Sequence, residues 1–258
     1  MLAVIGLVRV APAQDTNRPP TAQQLLDEVI LRLPREPLDI SGDLILRKRR
    51  GIELRELKFQ MQLKWGDTPA TAQYVISDAF GRELERMTVS REHGKAPVFK
   101  HFSGTDRTED KHLDLVGAIQ GTDISWMDLT LSFLWWRGGR LTGKEDVIER
   151  PCYVVEVSAP AGEAGPYASV RIWIEEQHLM FLKAEGLDAS GKQVRILWVK
   201  SFKKIHDRWM LKDMEIQSSP LHRTKLVVRE VNGEQTGLPA ENDDSSGKIT
   251  PIPVQQEE

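Results

Sequence analysis

Residues 57–65 alternate without a break. Leu57, Phe59, Met61, Leu63 and Trp65 are apolar, and Lys58, Gln60, Gln62 and Lys64 between them are polar. Successive side chains of a strand point to opposite faces, so this run predicts a long β-strand with one face toward a core and the other toward water. The period of two begins at Leu38 and returns along most of the chain. Strands are expected over residues 43–49, from Ile52 through the alternating run, and over 71–78, 83–90 and 97–102. In the second half they are expected over 141–148, 152–158, 167–175, 180–187, 192–202, 209–217 and 224–231. Gly51, Gly66 with Asp67, and residues 188–191 mark turns. Many strands with short connections and no alternating helices predict one strongly curved antiparallel sheet rather than βαβ units. At 258 residues, with 40% hydrophobic and 28% charged side chains, the chain has the composition of an ordinary globular domain.

Two segments depart from this rhythm. Residues 21–33 place Leu25, Leu26, Val29, Ile30 and Leu33 at spacings of three and four, behind Thr21 as N-cap and ahead of Pro34. They predict an amphipathic helix. Residues 123–136 (DISWMDLTLSFLWW) predict a second helix, capped by Asp123 and stopped by Gly138 and Gly139. It is apolar on nearly every face, which confines it to a place surrounded by protein, inside the curve of the sheet.

The first residues are apolar and lead to Ala11-Pro12-Ala13 and then to polar Gln14 and Asp15. This pattern predicts a secretory signal peptide over residues 1–13, cut after Ala13, and so an exported, soluble, periplasmic protein. A linker is expected over 14–20, a single domain over 21–231 and a disordered polar tail over 232–258.

The motifs of catalysis are missing. No Gly-x-Ser-x-Gly elbow or Gly-rich phosphate loop occurs. The six histidines (His93, His101, His112, His178, His206 and His222) show no metal-ligand spacing, and a lone Cys152 in an apolar strand reads as an inert small hydrophobe. Glu175 with Glu176, and the acidic loop over 106–111, read as solvated surface rather than acid/base pairs. The basic run Arg47, Lys48, Arg49 and Arg50 at a hairpin suits phospholipid headgroups, an acidic partner or a solvated edge. A net charge of −3 argues against nucleic acid. The expectation is a non-enzymatic protein with no cofactor and no metal.

What stands out is a supply of large apolar side chains. On the strand these are Leu57, Phe59, Met61, Leu63 and Trp65, and on the inner helix Trp126, Leu129, Phe133 and Trp136. These nine are the candidate ligand-binding residues. Periodicity leaves open whether they enclose a cavity or fill a solid core.

The order of features, the segment GTDISWMDL (121–129), and the blocks YASVRIWIEEQHLMFLKAEGLDASGK (167–192) and VKSFKKIHDRWMLKDMEI (199–216) are similar to the outer-membrane lipoprotein-sorting (LolA-like) family. The likeness spans residues 21–231. It implies a half-open antiparallel β-barrel with helices covering or plugging the concave apolar face. It also implies a non-catalytic carrier of lipoprotein acyl chains or other lipids, with an inner-membrane transporter and an outer-membrane acceptor as partners. An arginine on an early strand would latch the lid, with Arg47, Arg49 and Arg55 as candidates. Other proteins of this fold imply an alternative, a lipid-sensing or exporter-accessory interaction domain.

Overall fold

The computed structural model describes residues 19–48, 51–92, 95–104, 108–110, 113–160, 167–205 and 208–236. The expected signal peptide, Arg49, Arg50, His93, His112 and His206 lie outside them. Helix α1 (Ala22–Leu31) begins as its sequence dictates. Thr21 Oγ1 accepts from the Gln24 N–H at 3.2 Å, and the Gln24 side chain accepts from the Thr21 N–H at 2.8 Å. This reciprocal cap satisfies two donors that would otherwise have no partner. Ala22, Leu25, Leu26 and Val29 form the buried face of α1.

The first half of the sheet is β1 (Leu38–Lys48), β2 (Glu53–Lys64), β3 (Ala70–Ser77), β4 (Glu83–Arg91), β5 (Val98–Ser103) and β6 (Thr108–Glu109). The second half is β7 (Arg140–Val147), β8 (Arg150–Ser158), β9 (Ser169–Glu175), β10 (Phe181–Leu187), β11 (Gln193–Ile205), β12 (Arg208–Gln217), β13 (His222–Val231) and β14 (Glu234–Gln235). All belong to one antiparallel sheet in the order β6-β5-β4-β3-β2-β1-β13-β12-β11-β10-β9-β8-β7, with β14 paired to β13. Strands β1 and β13 join the two halves, while β6 and β7 are edges, so the barrel stays half open as expected. The tail expected from residue 232 starts with a tight hairpin into β14, and Thr236 is buried.

The register explains why the sheet has one continuous apolar face. Leu57, Phe59, Met61 and Leu63 of β2 stand opposite Leu44, Gly42, Ile40 and Leu38 of β1. On the other side, Phe59, Met61 and Leu63 face Ile76, Tyr74 and Ala72 of β3. Gly42 is needed where the Phe59 ring crosses β1: a Cβ there would lie 2.7 Å from Phe59 Cζ and 2.0 Å from the Val227 carbonyl oxygen. The alternation gives a direct test. Phe59→Asp places a carboxylate in the core and should abolish cooperative unfolding, whereas Gln60→Asp, on the exposed face, should shift stability by less than about 0.5 kcal/mol. Comparable urea midpoints for the two variants would reverse the assignment of faces.

The inner segment differs from the single helix expected over 123–136. It lies inside the curve, but as a short helix α2 (Trp126–Leu129) followed by a 3₁₀ turn (Ser132–Trp135). Leu131 between them has φ 48°, in the left-handed region. The Thr130 hydroxyl donates back to the Trp126 carbonyl oxygen at 2.8 Å, ending the first piece. The cap is Ser125 rather than Asp123. Asp123 is instead consumed by the sheet, accepting from the Ser218 N–H and Oγ, His222 Nδ1 and Thr224 Oγ1 at 2.6–3.1 Å.

Candidate binding cavity

Inside the curve, Trp126, Met127, Leu129, Phe133, Leu134 and Trp136 are all buried and share one hydrophobic core with α1 and both halves of the sheet. The segment is held by polar bonds as well as by packing. Asp128, fully buried, accepts from the Ser125 N–H and Oγ, from Tyr167 Oη at 2.8 Å and from Arg195 Nη1 of β11. Burial disfavours the Arg195 charge, but Asp128 and Tyr167 outweigh it and hold its pKa above the ordinary value. Arg55, at the start of β2, donates to the Gln120 carbonyl oxygen at 2.5 Å. Of the two candidate arginines among the described residues it is the one that reaches the approach to the inner segment, while Arg47 faces Glu53 at 3.8 Å.

A second polar cluster ties the β4–β5 edge to the same segment. Glu85 accepts from Gln120 Nε2 at 2.6 Å and from Trp126 Nε1 at 3.2 Å. It also meets His101 Nε2 at 3.0 Å, and His101 Nδ1 meets Asp110 at 2.5 Å. A neutral imidazole donates from one nitrogen only, so both bonds require the protonated ring. Burial lowers the His101 pKa, but Glu85 and Asp110 outweigh it and raise it above 6.5. For Glu85, burial raises the value and the bonds from His101 and Gln120 bring it below 4.5. The sign of each contribution follows from linkage. The raised His101 pKa gives stability that is complete below its ordinary value and lost as pH rises through the folded one. The lowered Glu85 pKa gives stability present above its ordinary value and lost as pH falls through the folded one. The pair should therefore be most stabilising between about pH 4.5 and 6.5. Raising the pH above that window should lower the melting temperature by a few degrees more in the wild type than in His101→Gln. Parallel melting curves across that range would show that the pair contributes nothing.

At one end of the barrel the filling stops. A cavity of about 770 Å³ opens there, within the size range of small-molecule sites. Its walls come from α1 and the residues after it (Val29, Leu31, Leu33, Pro34), the ends of β1 and β2 (Leu38, Leu63, Trp65), and the inner segment (Leu131, Leu134). The β9–β10 turn adds Leu179, Met180 and Phe181, and the β11–β12 hairpin adds Phe202, Trp209, Met210 and Leu211. Arg32, Arg35, Glu36, Gln177 and His178 complete the lining. Two of the lining leucines, Leu131 (φ 48°) and Leu179 (φ 51°), hold the left-handed backbone that branched side chains avoid. Such strain gathers at functional sites.

Of the nine candidate residues, only Leu63 and Trp65 line this cavity. Leu57, Phe59, Trp126, Leu129, Phe133 and Trp136 are at most 6% exposed and belong to the packed core, and Met61 is partly buried against it. The remaining lining comes from α1, from the inner segment, and from turns and strand ends that only the antiparallel topology gathers at one end. Apolar residues inside turns, such as Leu179 and Met180, were the available signal.

The groups read as inert on sequence have structural partners. Glu175, expected on the solvated surface, is instead buried, because it accepts from the N–H groups of Gln177 and His178 and so holds the β9–β10 turn. Burial pushes the Cys152 thiol up to about 12, which suppresses the thiolate. Among the described residues, no group of three or more His, Cys, Asp or Glu side chains is placed to hold a metal, and no helix is long and apolar enough to cross a membrane.

The fold resembles three crystal structures over most of their length. A DUF1329 family protein from Desulfovibrio piger superposes with a TM-score of 0.69 at 16% identity, covering 84% of this chain and 93% of that one. A domain assigned to outer-membrane lipoprotein sorting from Vibrio parahaemolyticus gives 0.68 at 16% identity, over 84% and 94%. A LolA superfamily protein from Nitrosomonas europaea gives 0.64 at 14% identity, over 86% and 96%. No curated protein matches. Residues 107–241, about half of the chain, match a family described as "uncharacterized protein". The chain belongs to that family and has the half-open, LolA-like fold of the lipoprotein-sorting proteins.

Proposed function

We propose that the protein is a non-catalytic carrier that shelters an acyl chain of a lipoprotein or another lipid in the end cavity, serving outer-membrane lipoprotein sorting from the periplasm. The observation that carries this reading is the cavity lining, which is apolar on every wall and polar at few points. Each methylene moved from water into such a wall is worth about 0.8 kcal/mol, so ten of them supply roughly 8 kcal/mol, the scale of micromolar binding, before ordering costs. Such binding needs no directional bonds. The likeness to lipoprotein-sorting and LolA superfamily structures supports the same class of cargo. Periplasmic export rests on the Ala11-Pro12-Ala13 pattern, and the transporter and acceptor follow from the resemblance.

Opening the cavity falls to α1. Its apolar face covers the core, and its one ion pair to the segment after the inner turn, Asp27 with Arg137 at 2.7 Å, is about half exposed on both sides. A pair that exposed adds little. Arg55, bonded to Gln120, ties the start of β2 to the residues before the inner segment and does not touch α1, so it does not hold this lid.

Displacement of a fluorescent acyl probe tests the carrier. The wild type should bind it, Leu179→Asp at the cavity wall should bind roughly tenfold more weakly or worse, and Gln60→Asp should match the wild type. Absence of binding by delipidated wild-type protein would overturn the proposal, as would equal binding by Leu179→Asp.

A further inference from the structure

The end of the barrel opposite the cavity has a chemistry of its own. The cavity gathers the β1 start, the β2 end and the β11–β12 hairpin. The other end holds the β1–β2, β3–β4 and β12–β13 hairpins. Lys48 pairs with His222, so the β1–β2 and β12–β13 tips are level, and Ser77 pairs with Lys58, which places the β3–β4 turn on the same side. Each of these tips displays a large apolar side chain: Ile52 is 60% exposed, Phe80 96% and Leu221 72%, with Leu54 beside Ile52 at 47%. These are four of the eight exposed large hydrophobics among the described residues. Hairpin tips are normally built from Gly, Asn, Asp and Ser, so apolar residues at three of them call for a partner.

The tips are held firmly. Asp78 Oδ1 accepts from the N–H groups of Phe80 and Arg82 at 3.0 and 2.9 Å, fixing the β3–β4 turn. Ser218, at the base of the β12–β13 tip, is bonded to buried Asp123. Cations surround them: Arg47 and Lys48 at the end of β1, Arg82 beside Phe80, and Arg223 after Leu221. The acidic neighbours Glu53, Asp78 and Glu215 are paired with Arg47, Arg82 and Arg223 at 3.1–3.8 Å, and Glu56 and Glu83 just behind them with Lys58 and Arg86 at 2.5 and 2.7 Å, which leaves Lys48 as the excess charge. The local balance is therefore positive in a chain whose net charge is −3.

We propose that this end docks on an anionic lipid bilayer, with Ile52, Phe80 and Leu221 entering the headgroup region and the surrounding Arg and Lys side chains meeting the phosphates. Separate apolar tips suit a fluid surface, which closes around each one, whereas a folded protein partner would need a continuous patch. Docking in this way leaves the cavity mouth turned away from the bilayer and free to meet a second partner. It does not depend on the cavity being loaded.

Co-sedimentation of the full chain with vesicles tests the proposal. The wild type should bind equimolar phosphatidylcholine–phosphatidylglycerol vesicles, bind phosphatidylcholine vesicles far less, and release with added salt. Phe80→Ser combined with Leu221→Ser should weaken partitioning roughly tenfold, and Lys48→Glu should weaken it further. Ile148→Ser, in the exposed β7–β8 turn at the cavity end but outside the cavity lining, should leave it unchanged. All these positions are exposed, and unchanged circular dichroism melts would confirm intact folding. Failure to bind anionic vesicles, equal binding to neutral ones, or loss only in Ile148→Ser would overturn the docking assignment. An acyl probe still bound by the same preparation would show that the carrier reading survives that failure.

Discussion

Asp128→Ala is expected to destabilise the fold by about 3–5 kcal/mol, measured as a lower urea midpoint with an unchanged slope. The carboxylate is fully buried and serves four donors from Ser125, Tyr167 and Arg195. Removing it leaves the Arg195 guanidinium inside the barrel without a counter-charge, and Arg195 Nε already has no hydrogen-bond partner there. It also strands the Tyr167 hydroxyl, whose pKa burial raises well above 10. Tyr167 cannot follow its lost partner, because its ring lies against Gly186 so closely that a Cβ there would sit 2.3 Å from Cε1. The double variant Asp128→Leu with Arg195→Met should recover much of the loss, since it removes both charges and fills similar volume. Equal losses in the single and double variants would show that packing, not charge, sets the cost. The result bears on function, because a segment fastened this firmly to β11 stays in place while α1 moves.

The sheet was legible because alternation is a local property. Leu57, Phe59 and Leu63 mark their own face, and Thr21 marks the N-cap of α1, where Gln24 three residues later completes the reciprocal cap. The inner segment was legible as something enclosed, since an all-apolar stretch has nowhere else to go. Its break was not. The left-handed Leu131 carries no compositional mark, and Asp123 looks like a cap until Ser218, His222 and Thr224, about a hundred residues later, arrive beside it. The cavity was legible only in part for a related reason. Trp65 and Leu63 end a periodic run, but Leu33, Leu179, Phe202 and Trp209 sit in turns or near strand ends and meet only through the order of thirteen paired strands. Large apolar side chains in a strand's middle report packing, and the same side chains near its end report a site.

Phe133→Ala is expected to cost about 3–5 kcal/mol, the range for removing an aromatic ring from a close-packed core. Phe133 is 1% exposed, and its ring centroid lies 6.2 Å from that of Phe181. Phe181 also lines the cavity, whereas Phe133 stands behind that wall. Truncation therefore opens new space next to the existing cavity, and about 24 cal/mol for every Å³ that fails to collapse adds to the transfer cost. Two measurements on one variant separate the roles. The urea midpoint should fall sharply, while affinity for a long acyl probe should hold or rise, because a deeper cavity accepts more methylenes. A stability loss below about 1 kcal/mol would mean that Phe133 already borders empty space and gives up few contacts. A large loss accompanied by abolished probe binding, in protein shown to be folded, would mean that the wall itself requires Phe133. The boundary between filled barrel and binding cavity would then lie one layer deeper, at the inner turn.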